Sequence, residues 1–178
     1  MSRVLRLRRL PASLSELRLR CVPQSMGGVH RRKVEYSDLD AMNHVNNSTY
    51  FKFFETVRVR NFSWVAQEDF QFVANGFAPV LSDTWCSFHR PISMYDHLHI
   101  GLCIEDVRPE VGQFNHRYLV WSEAHGRVAA QGGATVVMCD FDNGGRRAPL
   151  PDWWVARIDL MMSQARATDG DEARKADK

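Results

Sequence analysis

The stretch VEYSDLDAMNHVNNSTYFKFFETVRVRNF, residues 34–62, decides the fold of this chain. It opens with a short alternation of Val34 and Tyr36 against polar neighbours, which predicts a β-strand. A polar loop follows, and Asn46 and Asn47 then offer side chains that can cap a helix. The apolar residues beyond them recur at helical spacing: Tyr50, Phe53, Phe54, Val57 and Val65. The stretch therefore predicts a strand, a loop and a long amphipathic helix.

The loop places a carboxylic acid, Asp40, a few residues ahead of the predicted helix start. Unpaired amides at a helix N-terminus carry about half a positive charge, so amides near residues 46–48 would stabilise a carbonyl oxygen that becomes negative in a transition state. An aspartate beside them can act as a general base or as a nucleophile. The sequence therefore predicts an acyl-transfer site. The alternative is that Asp40 only fixes a turn or caps the helix.

The same residues carry a family resemblance. The run YSDLDAMNHVNNSTY and the later FETVR resemble the signature of the hot-dog-fold acyl-CoA thioesterases, in the 4-hydroxybenzoyl-CoA thioesterase-like family. The matching positions are Tyr36, Ser37, Asp38, Asp40, His44, Val45, Asn46, Asn47, Tyr50, Phe54, Glu55 and Arg58. Asn43 departs from the pattern, in which glycine commonly precedes the histidine. Because asparagine tolerates left-handed backbone angles better than most residues, we expect the turn to be kept.

The resemblance implies an α+β hot-dog fold, in which an antiparallel sheet wraps round one long central helix. It implies a hydrolase that cleaves acyl-CoA to a free acid and coenzyme A, in a homodimer or tetramer with active sites at the interface. Asp40 matches the catalytic acid of the family, and His44 either orients the thioester or water, or only bonds the loop. The predicted substrate-binding residues are Asn46, Asn47, Ser48, Tyr50 and Arg90.

Several of these residues also have a structural interpretation. Asp38 is expected to fix the turn, and capping of the helix is the preferred role for Asn46. Tyr50 is expected in the core or in a pocket wall, and Glu55 is expected to be structural because it lies well beyond the helix start. Arg90 would suit the phosphates of coenzyme A, with simple surface solvation as the alternative.

Four further strands are predicted after the helix. Alternating apolar residues mark two of them, residues 97–107 and 113–123. Residues 80–89 are a strand candidate between a turn and Arg90-Pro91, and residues 128–141 form a long, mostly apolar strand. The pair Gly132-Gly133 in the last strand predicts a bulge or a close backbone approach. A short helix is predicted over residues 151–163. One helix against one antiparallel sheet is an α+β layout. The predicted domain spans residues 29–163, between an N-terminal extension (residues 1–28) and a disordered tail (residues 164–178).

Charge and cysteine content exclude several classes of protein. The net charge of +2 is unevenly distributed, because nine Arg or Lys lie among residues 1–33. The rest of the chain holds more acids than bases, and this acidic charge argues against a nucleic-acid binder. The four cysteines are far apart in sequence and are interpreted as free thiols in a reducing compartment. No apolar run has the length of a membrane span, so a soluble intracellular protein is expected.

The first 25 residues are rich in arginine and nearly free of acids, as in an organellar transit peptide. A location in the mitochondrial matrix follows if they are one, and the cytoplasm is expected otherwise. The alternatives are a disordered extension, or a true start at Met26.

Two rival functions stay open. One is a hot-dog enoyl-CoA hydratase, although the spacing of Asp40 and His44 and the following asparagines favour hydrolysis. The other is a non-catalytic acyl-CoA-binding protein. His97 and His99 lie two residues apart without a third ligand at metal-site spacing, so no metal is expected. No glycine pattern of a nucleotide site occurs, and no cofactor is expected.

Overall fold

The computed structural model describes residues 9–66 and 76–176, with the side chains of the last helix as far as residue 164. Its helices are α1 (Leu14–Arg20), α2 (Asn47–Ala66) and α3 (Asp152–Ala176). Its strands are β1 (Val29–Lys33), β2 (Phe77–Phe88), β3 (His97–Arg108), β4 (Gln113–Ser122), β5 (Arg127–Asp140) and β6 (Arg146–Arg147). These strands form one antiparallel sheet in the order β1-β3-β4-β5-β2, with β6 on β5. The predicted α+β class is confirmed.

Helix α2 supplies much of the core because its apolar residues lie on the side that packs against the sheet. Phe53, Phe54 and Val57 are almost fully buried, and they share one apolar cluster with Leu98 and Ile100 of β3. Full burial of a large apolar side chain contributes about 1.5–3 kcal/mol. This face therefore fixes the helix on the sheet, and with it the loop that precedes the helix.

The glycine pair of β5 allows two aromatic side chains to approach the strand closely. A Cβ atom at Gly132 would lie 2.4 Å from the ring of Phe54 on α2, and one at Gly133 would lie 2.5 Å from the indole of Trp85 on β2. The register shift between β4 and β5 lies elsewhere, between Val120 and Trp121. Of the two interpretations that the sequence left open, the close approach is the one observed.

The first strand lies earlier than the alternation of Val34 and Tyr36 predicts. That strand prediction is wrong, since β1 ends at Lys33 and Tyr36–Asp38 form a short 3-10 helix. The cause is a capping box in which the Asp38 carboxylate accepts a hydrogen bond from the Glu35 amide at 3.0 Å. Such local bonds compete with an extended conformation.

Part of the expected N-terminal extension packs against the sheet. Leu17 of α1 and Cys21 are fully buried over Trp121 and Val128, on the face of the sheet that points away from α2. The arginine-rich composition of this segment does not predict the contact, because the contact depends on a few apolar side chains. Residues 1–8 lie outside the described part, and removal of a transit peptide stays a prediction.

Helix α3 continues beyond its predicted end near residue 163 as far as Ala176. Its first turns bury Trp154, Ile158 and Met161 in the core. The following residues include the good helix formers Ala, Arg, Glu and Lys, together with the poor helix former Gly170. Among the described residues, no helix combines the length and the apolarity that crossing a membrane requires.

Candidate active site

The loop before α2 holds Asp40 in a tight turn. Its Oδ1 atom accepts hydrogen bonds from the backbone amides of Met42 (2.8 Å) and His44 (3.4 Å). Its own amide donates to the His44 carbonyl at 2.9 Å. Within the described residues, no hydrogen bond reaches Oδ2, and the side chain is half-buried. One carboxylate oxygen therefore fixes the loop, while the other can meet a reacting group.

The turn depends on Asn43, where the chain takes a left-handed backbone conformation with φ of 58°. The Asn43 amide donates to the Asp40 carbonyl at 3.1 Å, which closes the turn. Asparagine accepts such an angle more readily than most residues that carry a Cβ atom. The expectation that Asn43 keeps a turn in which glycine is usual is confirmed.

Asp38 ties the loop to the rest of the domain. Its buried carboxylate accepts hydrogen bonds from the Arg32 guanidinium (2.6 Å) and the Glu35 amide (3.0 Å). Its carbonyl oxygen accepts from the Asn46 amide (2.9 Å) and the Thr49 hydroxyl (3.3 Å) at the start of α2. The predicted turn-fixing role of Asp38 is confirmed, because these bonds join β1, the loop and the helix.

The first turn of α2 leaves one of the three expected amides free. The Asn46 side-chain oxygen accepts hydrogen bonds from the Ser48 amide (2.9 Å) and the Ser48 hydroxyl (2.8 Å), so Asn46 caps the helix as predicted. The Asn46 amide is itself bonded to Asp38. Among the described residues, the Asn47 amide is then the one of the three without an acceptor. Of the three amides expected to bind a carbonyl oxygen, the Asn47 amide is therefore the one that can still donate to it.

Tyr50 lines the inner side of this region. Its ring is buried and packs edge-on against Phe88 of β2, with ring centroids 5.0 Å apart, so the predicted place in the core or a pocket wall is confirmed. Burial, and then the nearby Cys86 thiol, raises the pKa of Tyr50 to about 12.

The remaining predicted residues lie nearer the surface. His44 is half-buried, and within the described residues its imidazole makes no hydrogen bond. Arg90 follows β2 and is exposed, with its guanidinium donating to the His89 carbonyl at 3.1 Å. Glu55 is exposed on α2. The roles predicted for His44 and Arg90 stay predictions.

The residues that form the loop, helix α2 and strands β2 to β6 match the model of a known family. The model of the thioesterase-like superfamily matches residues 34–158, which is most of the chain. The chain belongs to this superfamily. The match confirms the family that the signature predicts and places the protein among enzymes of the thioesterase class.

Solved structures of proteins named as thioesterases share the architecture of this thioesterase-like chain. A 1,4-dihydroxy-2-naphthoyl-CoA thioesterase from Synechocystis has a TM-score of 0.62 and 18% identity, with coverage of 74% of this chain and 94% of its own. A thioesterase from Thermus thermophilus, complexed with coenzyme A and Zn, has a TM-score of 0.58 and 26% identity, with coverage of 74% and 96%. The predicted hot-dog fold is confirmed.

A relative is also found by sequence. A candidate esterase of Aquifex aeolicus (strain VF5) is 26% identical over an alignment of 100 residues, and the alignment covers 53% of this chain and 73% of the relative. In the described part of this thioesterase-like chain, no group of three or more His, Cys, Asp or Glu is placed to hold a metal ion.

Sequence reasoning missed a buried polar cluster beneath α2. The Arg58 guanidinium donates to the Tyr118 hydroxyl at 3.3 Å, and His116 Nδ1 lies 3.2 Å from the same oxygen. Phe54 stacks on Tyr118 with ring centroids 4.5 Å apart. Burial, and then the Arg58 charge, lowers the pKa of His116 to about 3. Alternation places His116 and Tyr118 on one face of β4, but it does not show that Arg58 lies above them.

Proposed function

We propose that this protein is an acyl-CoA thioesterase, which hydrolyses an acyl-CoA thioester to a free carboxylic acid and coenzyme A. The observation that carries the proposal is the Asp40 turn, in which Oδ1 is held by two backbone amides and Oδ2 is left without a partner among the described residues. A carboxylate with one fixed and one free oxygen is suited to act on a bound thioester or on water.

The thioester carbonyl would meet the free Asn47 amide at the positive end of α2, which stabilises the oxygen as it becomes negative. Asp40 Oδ2 would either take a proton from the attacking water, or attack the carbonyl and form a mixed anhydride that water then opens. In both routes water adds across the C–S bond, the hydroxyl remains on the acyl carbon and the proton ends on the thiol. His44 is assigned to orienting the thioester or the water.

The other predicted residues bind the substrate in this proposal. Tyr50 forms part of the wall against which the acyl group lies, as its packing against Phe88 suggests. Ser48 and Asn46 support the amide that receives the carbonyl oxygen, since they form the cap beside it. Arg90 offers an exposed guanidinium to the phosphates of coenzyme A. The complex of the Thermus thermophilus thioesterase with coenzyme A supports this class of substrate.

A subunit contact along β2 is also part of the proposal. In the described sheet β2 pairs with β5 on one side and forms the edge on the other. It exposes large apolar residues, namely Val80, Leu81, Trp85 and Phe88. An edge strand of this kind favours pairing with another strand. A second copy docked on β2 would lie beside the Tyr50–Phe88 wall, and we therefore propose a homodimer or a tetramer built from such dimers.

The first test is thiol release from a panel of short, long and aromatic acyl-CoAs. We predict that Asp40→Asn lowers kcat by at least about 100-fold, because the amide keeps an oxygen for the turn but loses the basic and nucleophilic oxygen. The matched control is Asp140→Asn. Asp140 forms the same kind of turn, in which Oδ1 accepts from the Asp142 and Asn143 amides at 3.0 and 3.2 Å.

The proposal is refuted if folded Asp40→Asn releases thiol at close to the wild-type rate. It is also refuted if Asp40→Asn and Asp140→Asn lower kcat by the same factor. Hydration of crotonyl-CoA without thiol release would instead identify a hydratase. A tight complex with acyl-CoA and no turnover on any substrate would identify a binding protein.

A further inference from the structure

Two cysteines from distant parts of the chain meet on the face of the sheet that points away from α2. Cys21 directly follows α1, and Cys103 lies in the middle of β3. Their Sγ atoms are 3.2 Å apart, although the residues are 82 positions apart in sequence. Both are buried and both are free thiols. Since a disulfide has an S–S length of about 2.05 Å, a shift of about 1 Å would join them.

The surrounding chain holds Cys21 in this place. The Val22 amide donates to the Leu102 carbonyl at 2.8 Å, and the Leu102 amide donates to the Gly28 carbonyl at 2.7 Å. Gly101 leaves room for the sulfur, because a Cβ atom there would lie 2.4 Å from Cys21 Sγ. Cys21 is therefore fixed next to Cys103 by backbone bonds that do not involve either thiol.

The thiols are shielded while α1 covers the sheet. The contact with Cys103, and then burial, raises the pKa of Cys21 above its ordinary value, whereas the Arg117 guanidinium acts in the opposite direction. Thiol–disulfide exchange requires a thiolate that an oxidant can reach. The two thiols are thus close enough to join, but they are shielded from an oxidant while α1 is in place.

We propose that Cys21 and Cys103 form an oxidisable pair, whose disulfide fixes the N-terminal segment to the outer face of the sheet. With a disulfide oxidant such as glutathione disulfide, one cysteine thiolate attacks the oxidant and expels a glutathione thiolate. The second cysteine thiolate attacks the resulting mixed disulfide, forms the Cys21–Cys103 bond and expels the other glutathione thiolate. The two protons from the cysteines end on two glutathione thiols, and one disulfide is reduced as one is formed.

The test uses the full chain, equilibrated with glutathione buffers from fully reduced to fully oxidised and then blocked with an alkylating reagent. Mass spectrometry of a digest made without reductant locates each disulfide. We expect a peptide that joins Cys21 to Cys103 as the main intramolecular product, and an intact mass lower by two hydrogen atoms before alkylation. Cys86 and Cys139, the other two cysteines, serve as internal controls and should be alkylated or carry single glutathiones.

A second readout is thermal unfolding of the oxidised protein. A disulfide that closes a loop of this length constrains the unfolded chain, so the Tm should rise by about 10 °C and return on reduction. Cys86→Ser should keep this rise, whereas Cys21→Ser should lose it. The proposal is overturned if no Cys21–Cys103 peptide forms in any buffer, or if both residues end as separate mixed disulfides with glutathione. Because the mapping uses the wild-type chain, it does not depend on the folding of any variant.

Discussion

Asn43 orients Asp40 through a backbone angle, so a change at this position tests the turn separately from the acid. The left-handed angle of 58° costs a residue with a Cβ atom about 1–2 kcal/mol, and costs glycine little. We predict that Asn43→Ala lowers the free energy of unfolding by about 1 kcal/mol and also lowers kcat, whereas Asn43→Gly preserves both. Urea unfolding and thiol release measure the two effects. Equal behaviour of the two variants would contradict the role given to this angle.

A second residue, His116, gives the fold a dependence on pH. Its pKa of about 3 in the folded chain lies below the ordinary value of 6.5, so the folded state favours the neutral imidazole. Below pH 6.5 the unfolded chain binds a proton that the folded chain does not. Above pH 6.5 the titration of His116 therefore leaves the free energy of unfolding unchanged. As the pH falls from 6.5 towards 3, this one proton lowers the free energy of unfolding by about 1.4 kcal/mol per pH unit.

We predict that His116→Gln reduces the fall in the free energy of unfolding between pH 6 and pH 4, because glutamine does not titrate. Urea unfolding at several pH values measures the slope for wild type and variant. Burial also lowers the pKa of His30. Because His30 is present in both proteins, its contribution to the two slopes is the same and cancels when they are compared. Parallel slopes in the two proteins would show that His116 is not the group responsible.

At the scale of elements, the contact between α2 and β5 depends on the absence of a side chain at Gly132. A Cβ atom at this position would lie 2.4 Å from the Phe54 ring, so Gly132→Ala should lower the free energy of unfolding by about 1–3 kcal/mol. Adding Phe54→Leu should recover part of this loss, because a smaller side chain leaves room for the methyl group. A double-mutant cycle in urea measures the coupling, and additive effects would refute the proposed clash.

The same elements show what the sequence could and could not predict. Helix α2 and strands β3 and β4 follow from the spacing of apolar residues. Strand β2 follows from the turn residues on either side of it, and β5 follows from its mostly apolar composition. Strand β1 was misplaced because the capping box around Asp38 outweighs the alternation of Val34 and Tyr36. The packing of α1 was missed because burial of Leu17 depends on a distant strand that local spacing does not reveal.

For the candidate site, the signature and helix-capping rules predicted the Asp40 turn and the cap at Asn46, because both are built from neighbours in sequence. The cluster of Arg58, His116 and Tyr118 could not be predicted in the same way. Its members come from a helix and a strand about 60 residues apart in sequence, and only the tertiary fold brings them within hydrogen-bond distance. Likewise, cysteine spacing gave no sign that Cys21 and Cys103 are in contact.

At the scale of the whole molecule, activity is expected to depend on the β2 edge. In a symmetric dimer, β2 of one subunit would lie beside β2 of the other. A double variant with Val80→Lys and Leu81→Lys would therefore bring four lysines together. We predict that wild type has a mass in solution of at least twice the 20.5 kDa chain, and that this variant has the mass of one chain. Light scattering after gel filtration measures the mass, and circular dichroism verifies the fold.

The control for added charge is Leu160→Lys, because Leu160 is similarly exposed but lies on α3. We expect this control to keep the assembly and the turnover, and the β2 variant to lose both, since the second subunit would complete the wall beside Tyr50 and Phe88. A monomeric β2 variant with full thiol release would separate assembly from catalysis, and it would place the complete site within one chain. A monomeric wild type with full activity would remove the proposed subunit contact altogether.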